Sequence, residues 1–266
     1  MIAIRLATAG LSAAYLCLSV VAWSQADDTE PTETKRTRIA LGPQLVPSFP
    51  GSDGVSIAPL FNFDRAKVDE PFTFEAPDES FGFSLFRSGG FSIGPSVGFE
   101  GKREDTETGT LLPEVDFSVE IGGFVQQEFG DNFRARAEVR KGVTGHEGLI
   151  SLLSADYILR EGLVQEFAIG PRLTIADNSF QDAYFSVRPE DAAAAGLPVY
   201  NAGGGIQAVG ATAGFTRQFG RHWGVYAYAK YDRLVGDAAE SPIVRVYGSR
   251  DQYSGGVALT YTFYSD

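Results

Sequence analysis

Apolar and polar positions alternate with a period of two over long runs of this chain, most clearly across residues 114–143. In the second arm of that stretch Phe133, Ala135, Ala137 and Val139 alternate with Arg134, Arg136, Glu138 and Arg140. In the first arm Val115, Phe117, Val119 and Ile121 alternate with Asp116, Ser118, Glu120 and Gly122. Side chains on a strand point to opposite faces at this period. The stretch therefore predicts a long hairpin, turning at Asp131 and Asn132, with one oily and one charged face. Its arms run about twice the ~5–6 residues usual for globular strands. The oily face could fill the core of a soluble sandwich. In a membrane barrel it would face lipid, with the charges turned to a wet lumen.

The same reading along the chain predicts strands at 38–46, 55–63, 70–76, 79–86 and 91–101, then the hairpin, then 149–159, 163–176, 206–219 and 223–236. A closing strand places Tyr253, Val257, Leu259, Tyr261 and Phe263 on one face. The PEDAAAAG segment within 177–203 predicts one helical turn. Connections alternate in length: short ones follow residues 64, 87, 130, 159 and 219, and longer ones lie near 47–54, 102–113, 144–148, 177–203 and 237–250. That sorting is the habit of outer-membrane barrels, and a sandwich has no reason for it. Strands of about 12 residues at ~3.3 Å each, tilted by ~40°, rise roughly 30 Å and cover the apolar band. Phe129, Phe133, Phe219, Trp223 and Phe263 gather near the short turns, as an interfacial girdle requires. The expected fold is all-β, a transmembrane antiparallel barrel of about 12 strands (10–12).

Composition sharpens this. Thirty-one Gly, 12% aromatic residues and a single Met favour strands and tight turns over helices. A net charge of -12 argues against nucleic acid as a partner. Residues 1–26 read as an export signal: Arg5 in a short basic region, an apolar run at 6–21, and Ser24 and Ala26 before the expected cleavage point. The only cysteine, Cys17, lies in that leader, so no disulfide framework is expected in the mature chain. Residues 27–38 read as a flexible polar lead-in, and 39–266 as the barrel.

Candidate chemistry is sparse. His146 and Glu147 fall in a loop at the long-loop rim with Ser151 close by in sequence. A hydrolase would need an orienting group and an oxyanion donor besides, and a hydrogen-bonded loop histidine is the plainer expectation. His222, beside Trp223, reads as an interfacial residue. Asp53, Asp177, Asp182, Asp237 and Asp251 sit at strand–loop junctions without a dedicated cation-loop pattern. Gly203, Gly204 and Gly205 lack the Lys-Ser/Thr of a phosphate loop and read as a bend into the next strand. No catalytic, cofactor or metal residue is assigned. The inward set Arg134, Arg136, Glu138, Arg140, Asp116, Glu120, Glu128, Glu166 and Arg172 is expected either to line a path or to close it by pairing.

The run Glu240-Ser241-Pro242-Ile243-Val244-Arg245, with Gly248-Ser249-Arg250-Asp251-Gln252-Tyr253 and the strand to Phe263, resembles the C-terminus of the MipA/OmpV family (MltA-interacting protein-like). Pro50-Gly51-Ser52-Asp53 with Ala58-Pro59-Leu60-Phe61 is similar too. So are the run from Gly142 through His146 to Leu149 and the run from Ala193 to Tyr200. Gly54, where the family carries a bulkier residue, and Tyr264-Ser265-Asp266 after the terminal Phe263 depart from it. The resemblance implies a non-enzymatic protein of the Gram-negative outer membrane, in contact with lipid and lipopolysaccharide. It implies a scaffold joining a lytic transglycosylase to a murein synthase, with a narrow porin-like channel for small molecules or antibiotics, or a surface adhesin, as alternatives.

Overall fold

A computed structural model describes residues 35–109 and 112–265; the expected signal peptide and most of the expected lead-in lie outside these. The chain is nearly all strand: β1 (Lys35–Pro47), β2 (Val55–Lys67), β3 (Phe81–Gly82), β4 (Phe86–Ser88), β5 (Phe91–Glu100), β6 (Ser118–Phe129), β7 (Phe133–Gly142), β8 (Leu149–Glu161), β9 (Gln165–Ala176), β10 (Gly205–Gln218), β11 (Trp223–Leu234) and β12 (Asp251–Ser265). They form one antiparallel curled sheet in the order β2-β1-β12-β11-β10-β9-β8-β7-β6-β5-β3, with β4 also on β5. Twelve strands thus fill eleven wall positions. The first and last strands zip together from Lys35 opposite Ser265 to Leu45 opposite Gly255. The tail beyond Phe263 is therefore wall, with Tyr264 opposite Arg36, and four residues of the expected lead-in are strand.

The faces fall as the alternation predicts. Phe61, Phe63, Phe99, Phe117, Ile121, Val139, Tyr253 and Leu259 stand exposed on the outside, while Glu120, Arg134, Arg136, Glu138 and Arg172 are buried within. An exposed apolar surface of this extent fits lipid rather than water. The aromatic girdle is in place: Phe129 pairs with Phe133, Trp223 with Tyr261, and all the expected members are exposed. Among the described residues no helix is long and apolar enough to cross a membrane.

Two expectations about the hairpin change. The strand of the first arm begins at Ser118, not 114, and Asp116 is exposed outside it. Val115 turns inward instead, buried in the loop cap and bridged to Arg103. A larger correction concerns 70–76, expected as a strand. It joins no ladder. The chain leaves β2 at the short-turn end and residues 68–80 run up inside the barrel as a strap, with Phe72, Phe74 and Ala76 buried.

The long-loop end is closed by packed loops. Helix α1 (Asn178–Phe185), α2 (Pro189–Ala195), α3 (Gly236–Glu240) and α4 (Pro242–Tyr247) sit there; α2 is the helical turn expected from PEDAAAAG. Phe180, Tyr184 and Phe185 are wholly buried against Phe49, Ile150, Ala208, Leu234 and Val244. Each large side chain so buried stabilises the cap by ~2–3 kcal/mol. Asp177 caps α1 by accepting from the Phe180 amide at 2.9 Å, and Ser241 does the same for α4 from Ile243 at 3.2 Å.

Candidate functional site: the charged lumen

Strands β6 to β11 aim their inward residues at one another across the barrel, and the result is a ladder of alternating sign. It begins under the cap at His146, whose Nε2 donates to Glu120 at 2.9 Å while Nδ1 accepts from the Gly148 amide at 3.1 Å. Glu120 accepts from Arg140 at 2.7 Å, and Glu138 bridges Arg140 and Arg136, the latter at 2.6 Å. Arg136 lies 3.8 Å from Glu79 on the strap, and Glu79 pairs with Arg134. Asp156 then bridges Arg134 and Arg172 at 2.8 Å each. Arg172 holds Asp78 of the strap, and Lys230 reaches Asp78 at 3.2 Å and Asp232 at 3.0 Å.

Within this ladder the carboxylate of Asp78 sits in a cradle. Arg172 Nε donates to both its oxygens, at 3.1 and 2.9 Å, and the Thr212 hydroxyl donates at 2.9 Å. Arg134 grips the strap twice, donating to Glu79 and to the Phe74 carbonyl at 3.1 Å. Aromatic faces complete the packing. Arg136 lies over Phe124 at 3.7 Å, Arg134 over Phe74 at 4.5 Å, and Arg36 and Arg38 over Phe72 at 4.2 and 4.4 Å. Desolvated guanidinium–aromatic contacts of this kind contribute about 2 kcal/mol each. On the far side Ala40, Leu60, Tyr228 and Ala258 fill the lumen with apolar bulk. The inward set is therefore paired within the lumen rather than left as free charge.

Six of the nine expected inward residues take part: Arg134, Arg136, Glu138, Arg140, Glu120 and Arg172. Glu166 instead pairs with Arg160 at 2.7 Å near the short turns, Glu128 is half-buried beside the 130–132 turn, and Asp116 is outside. Sequence reading missed Asp78, Glu79, Asp156, Lys230 and Asp232. The last three were readable, since each falls on the inward side of its strand's alternation; the strap pair was not, because 70–76 and 79–86 read as successive wall strands with Asp78 and Glu79 at their junction.

The other candidates resolve into structure. His146 is buried, packed on Phe180 at 4.6 Å between ring centres, and Ser151 is on the outward face of β8, so the two do not meet. His222 hydrogen-bonds the Thr262 carbonyl at 2.8 Å and stacks on Tyr261. Asp237 accepts from the Gly203 amide at 2.7 Å, Asp251 pairs with Arg233 at 2.6 Å, and Asp182 pairs with Arg188 at 3.1 Å. In the cap, Arg103 donates to the carbonyls of Tyr184 and Pro113 at 2.8 and 3.0 Å. Burial lowers its pKa to about 10.

A family model described as MltA-interacting protein MipA matches residues 39–263. No curated protein matches the chain. Among solved structures it is similar to a variant of OccD1 (OprD), at 9% identity and a TM-score of 0.30, over 86% of this chain and 95% of that one. It is also similar to the CymD monoaromatic hydrocarbon channel, at 12% identity and a TM-score of 0.29, over 85% and 87%.

Proposed function

The chain belongs to the MipA family, and on that footing we propose that it is a non-enzymatic barrel of the outer membrane that serves as a fixed platform for cell-wall enzymes. The family description names MltA as the interacting protein, and the resemblance implies a lytic transglycosylase and a murein synthase as the enzymes such a platform would hold. The observation that carries this reading is the occupied lumen: the strap and the alternating ladder fill it, and the helical cap packs over one end. A porin-like channel, the other reading, needs a standing path.

The apolar belt would meet lipid and lipopolysaccharide. Lys35 and Ser265 lie side by side at the short-turn end, so both ends of the wall would face the periplasm. The partner surface would then be the turns at 130–132, 162–164 and 219–222, with Asp131 and Arg221 in the first and last and Glu161 at the end of β8 beside the second. The burial of His146 and the outward placement of Ser151 support a protein without hydrolytic chemistry. The test is capture of a lytic transglycosylase by the refolded barrel. Reversing charge at the turns (Asp131→Lys, Glu161→Lys, Arg221→Glu) is expected to weaken capture at least about tenfold, equivalent to ~1.4 kcal/mol, while heat-modifiable gel migration stays normal. Capture unchanged by those substitutions, or steady conductance of the parent protein in planar bilayers, would sink the platform reading.

A further inference from the structure

Chain direction alternates around the wall from β2 to the position shared by β3 and β4. With eleven positions, those two edges run in the same sense and cannot form an antiparallel ladder with each other. Single-chain bacterial barrels close with an even number of antiparallel strands, and an unpaired strand edge at bilayer depth is strongly unfavourable. The element of opposite sense that would close the wall is the strap. It leaves β2 through the turn at 68–70 and already stands at the seam: Asn62 of β2 reaches Glu75 at 3.4 Å and Arg87 of β4 reaches Thr73 at 3.4 Å. Its side chains alternate as a wall strand's do, Phe72, Phe74 and Ala76 on one side and Thr73 and Glu75 on the other.

We propose that Arg172, Lys230 and Thr212, with Arg134 beside them, form a binding site for small carboxylate anions, which residues 68–80 occupy through Asp78 and vacate by taking the open wall position between β2 and β4. This goes beyond the platform reading. Moving the strap outward turns Phe72 and Phe74 to lipid and draws Asp78, on the same side of the alternation, out of its cradle. Arg172, Lys230 and Thr212 then lose the carboxylate they share, and their donors stand open to another. The Nε–H of Arg172 shared between both oxygens and the Thr212 hydroxyl that now hold Asp78 are charge-assisted and neutral donors an incoming carboxylate can take over. Entry is from the short-turn end, where Arg36, Arg38 and Arg160 line a small cleft beside Pro71 and Phe72. Arg36 is buried there with its Nε unpartnered.

The test uses the full refolded barrel with succinate as the probe, read by calorimetry. Asp78→Asn with Glu79→Gln weakens the strap's hold and is expected to tighten succinate binding roughly ten- to a hundredfold, as loss of charge-assisted bonds to the competing segment predicts. A Cβ at Gly214 would lie 3.5 Å from the Pro77 ring, so Pro77→Cys with Gly214→Cys ties the strap inside. Oxidising that pair in the weakened variant should abolish binding, reductant should restore it, and Arg172→Gln should abolish it in either redox state. Should the double variant fail to refold, Glu79→Gln alone is expected to give the same order with a smaller gain. Binding no tighter than the parent's, binding indifferent to the disulfide, or binding that survives Arg172→Gln would each overturn the site. None of these outcomes depends on whether a transglycosylase is captured.

Discussion

Arg134 shows how much rests on single side chains. It is almost wholly buried and answers Glu79, Asp156 and the Phe74 carbonyl at once. Arg134→Ala leaves buried Glu79 with only Arg136 at 3.8 Å and Asp156 with only Arg172, and breaking a buried pair in this way costs about 3–5 kcal/mol. Arg160→Ala removes an ion pair of the same length as others in the lumen, but one whose partners are each about a fifth exposed, so at most ~1 kcal/mol is expected. Urea midpoints of the two variants in detergent should separate accordingly; equal midpoints would mean that the ladder does not bear on stability. The charges themselves were readable in the sequence, since Arg134, Arg136, Glu138 and Arg140 follow the period of β7. Their partners were not. A period of two says which face a residue occupies, and nothing about what stands across the lumen from it.

The elements divide along the same line. Ten strands emerge close to their expected bounds because each shows a long alternation and ends at turn residues. The strap misled because Phe72, Phe74 and Ala76 keep that alternation whether their apolar side meets lipid or the faces of Arg36, Arg38 and Arg134. Helices α1, α3 and α4 were also missed. They are short, and their apolar residues follow no long helical repeat; they fold because a loop brings Phe49 to them and strand ends bring Ile150 and Leu234. Gly148 shows how tight that docking is. A Cβ there would lie 2.6 Å from the Cα of Phe180. Gly148→Val is therefore expected to lift α1 from the cap and expose residues 177–203 to protease, while the wall still shows heat-modifiable migration. A cap as resistant as the parent's would show that α1 is held from elsewhere.

For the whole molecule, the comparison of outside with inside is decisive. A belt of exposed Phe, Leu and Ile surrounds a lumen of paired Arg, Asp and Glu, which is the inverse of a soluble protein's arrangement and requires a bilayer around it. Sequence alone reached that conclusion through the sorted loop lengths. It could not reach the strap inside the lumen, because one segment lies off the wall that its pattern fits.

The ladder joining β1 to β12 has a consequence for how the molecule folds. Every other full-length ladder in the wall joins neighbours in sequence, whereas this one must wait until both ends of the described chain exist and have met. Loop-closure entropy and high contact order make such a pairing the slow step. A circular permutant with Lys35 and Ser265 linked, and new ends opened at Val68 and Asp69, would build the same wall entirely from sequential hairpins. It is expected to refold into micelles severalfold faster than the parent, as stopped mixing with gel-shift sampling would register. An unchanged rate would place the slow step elsewhere, in seating the strap or docking the cap.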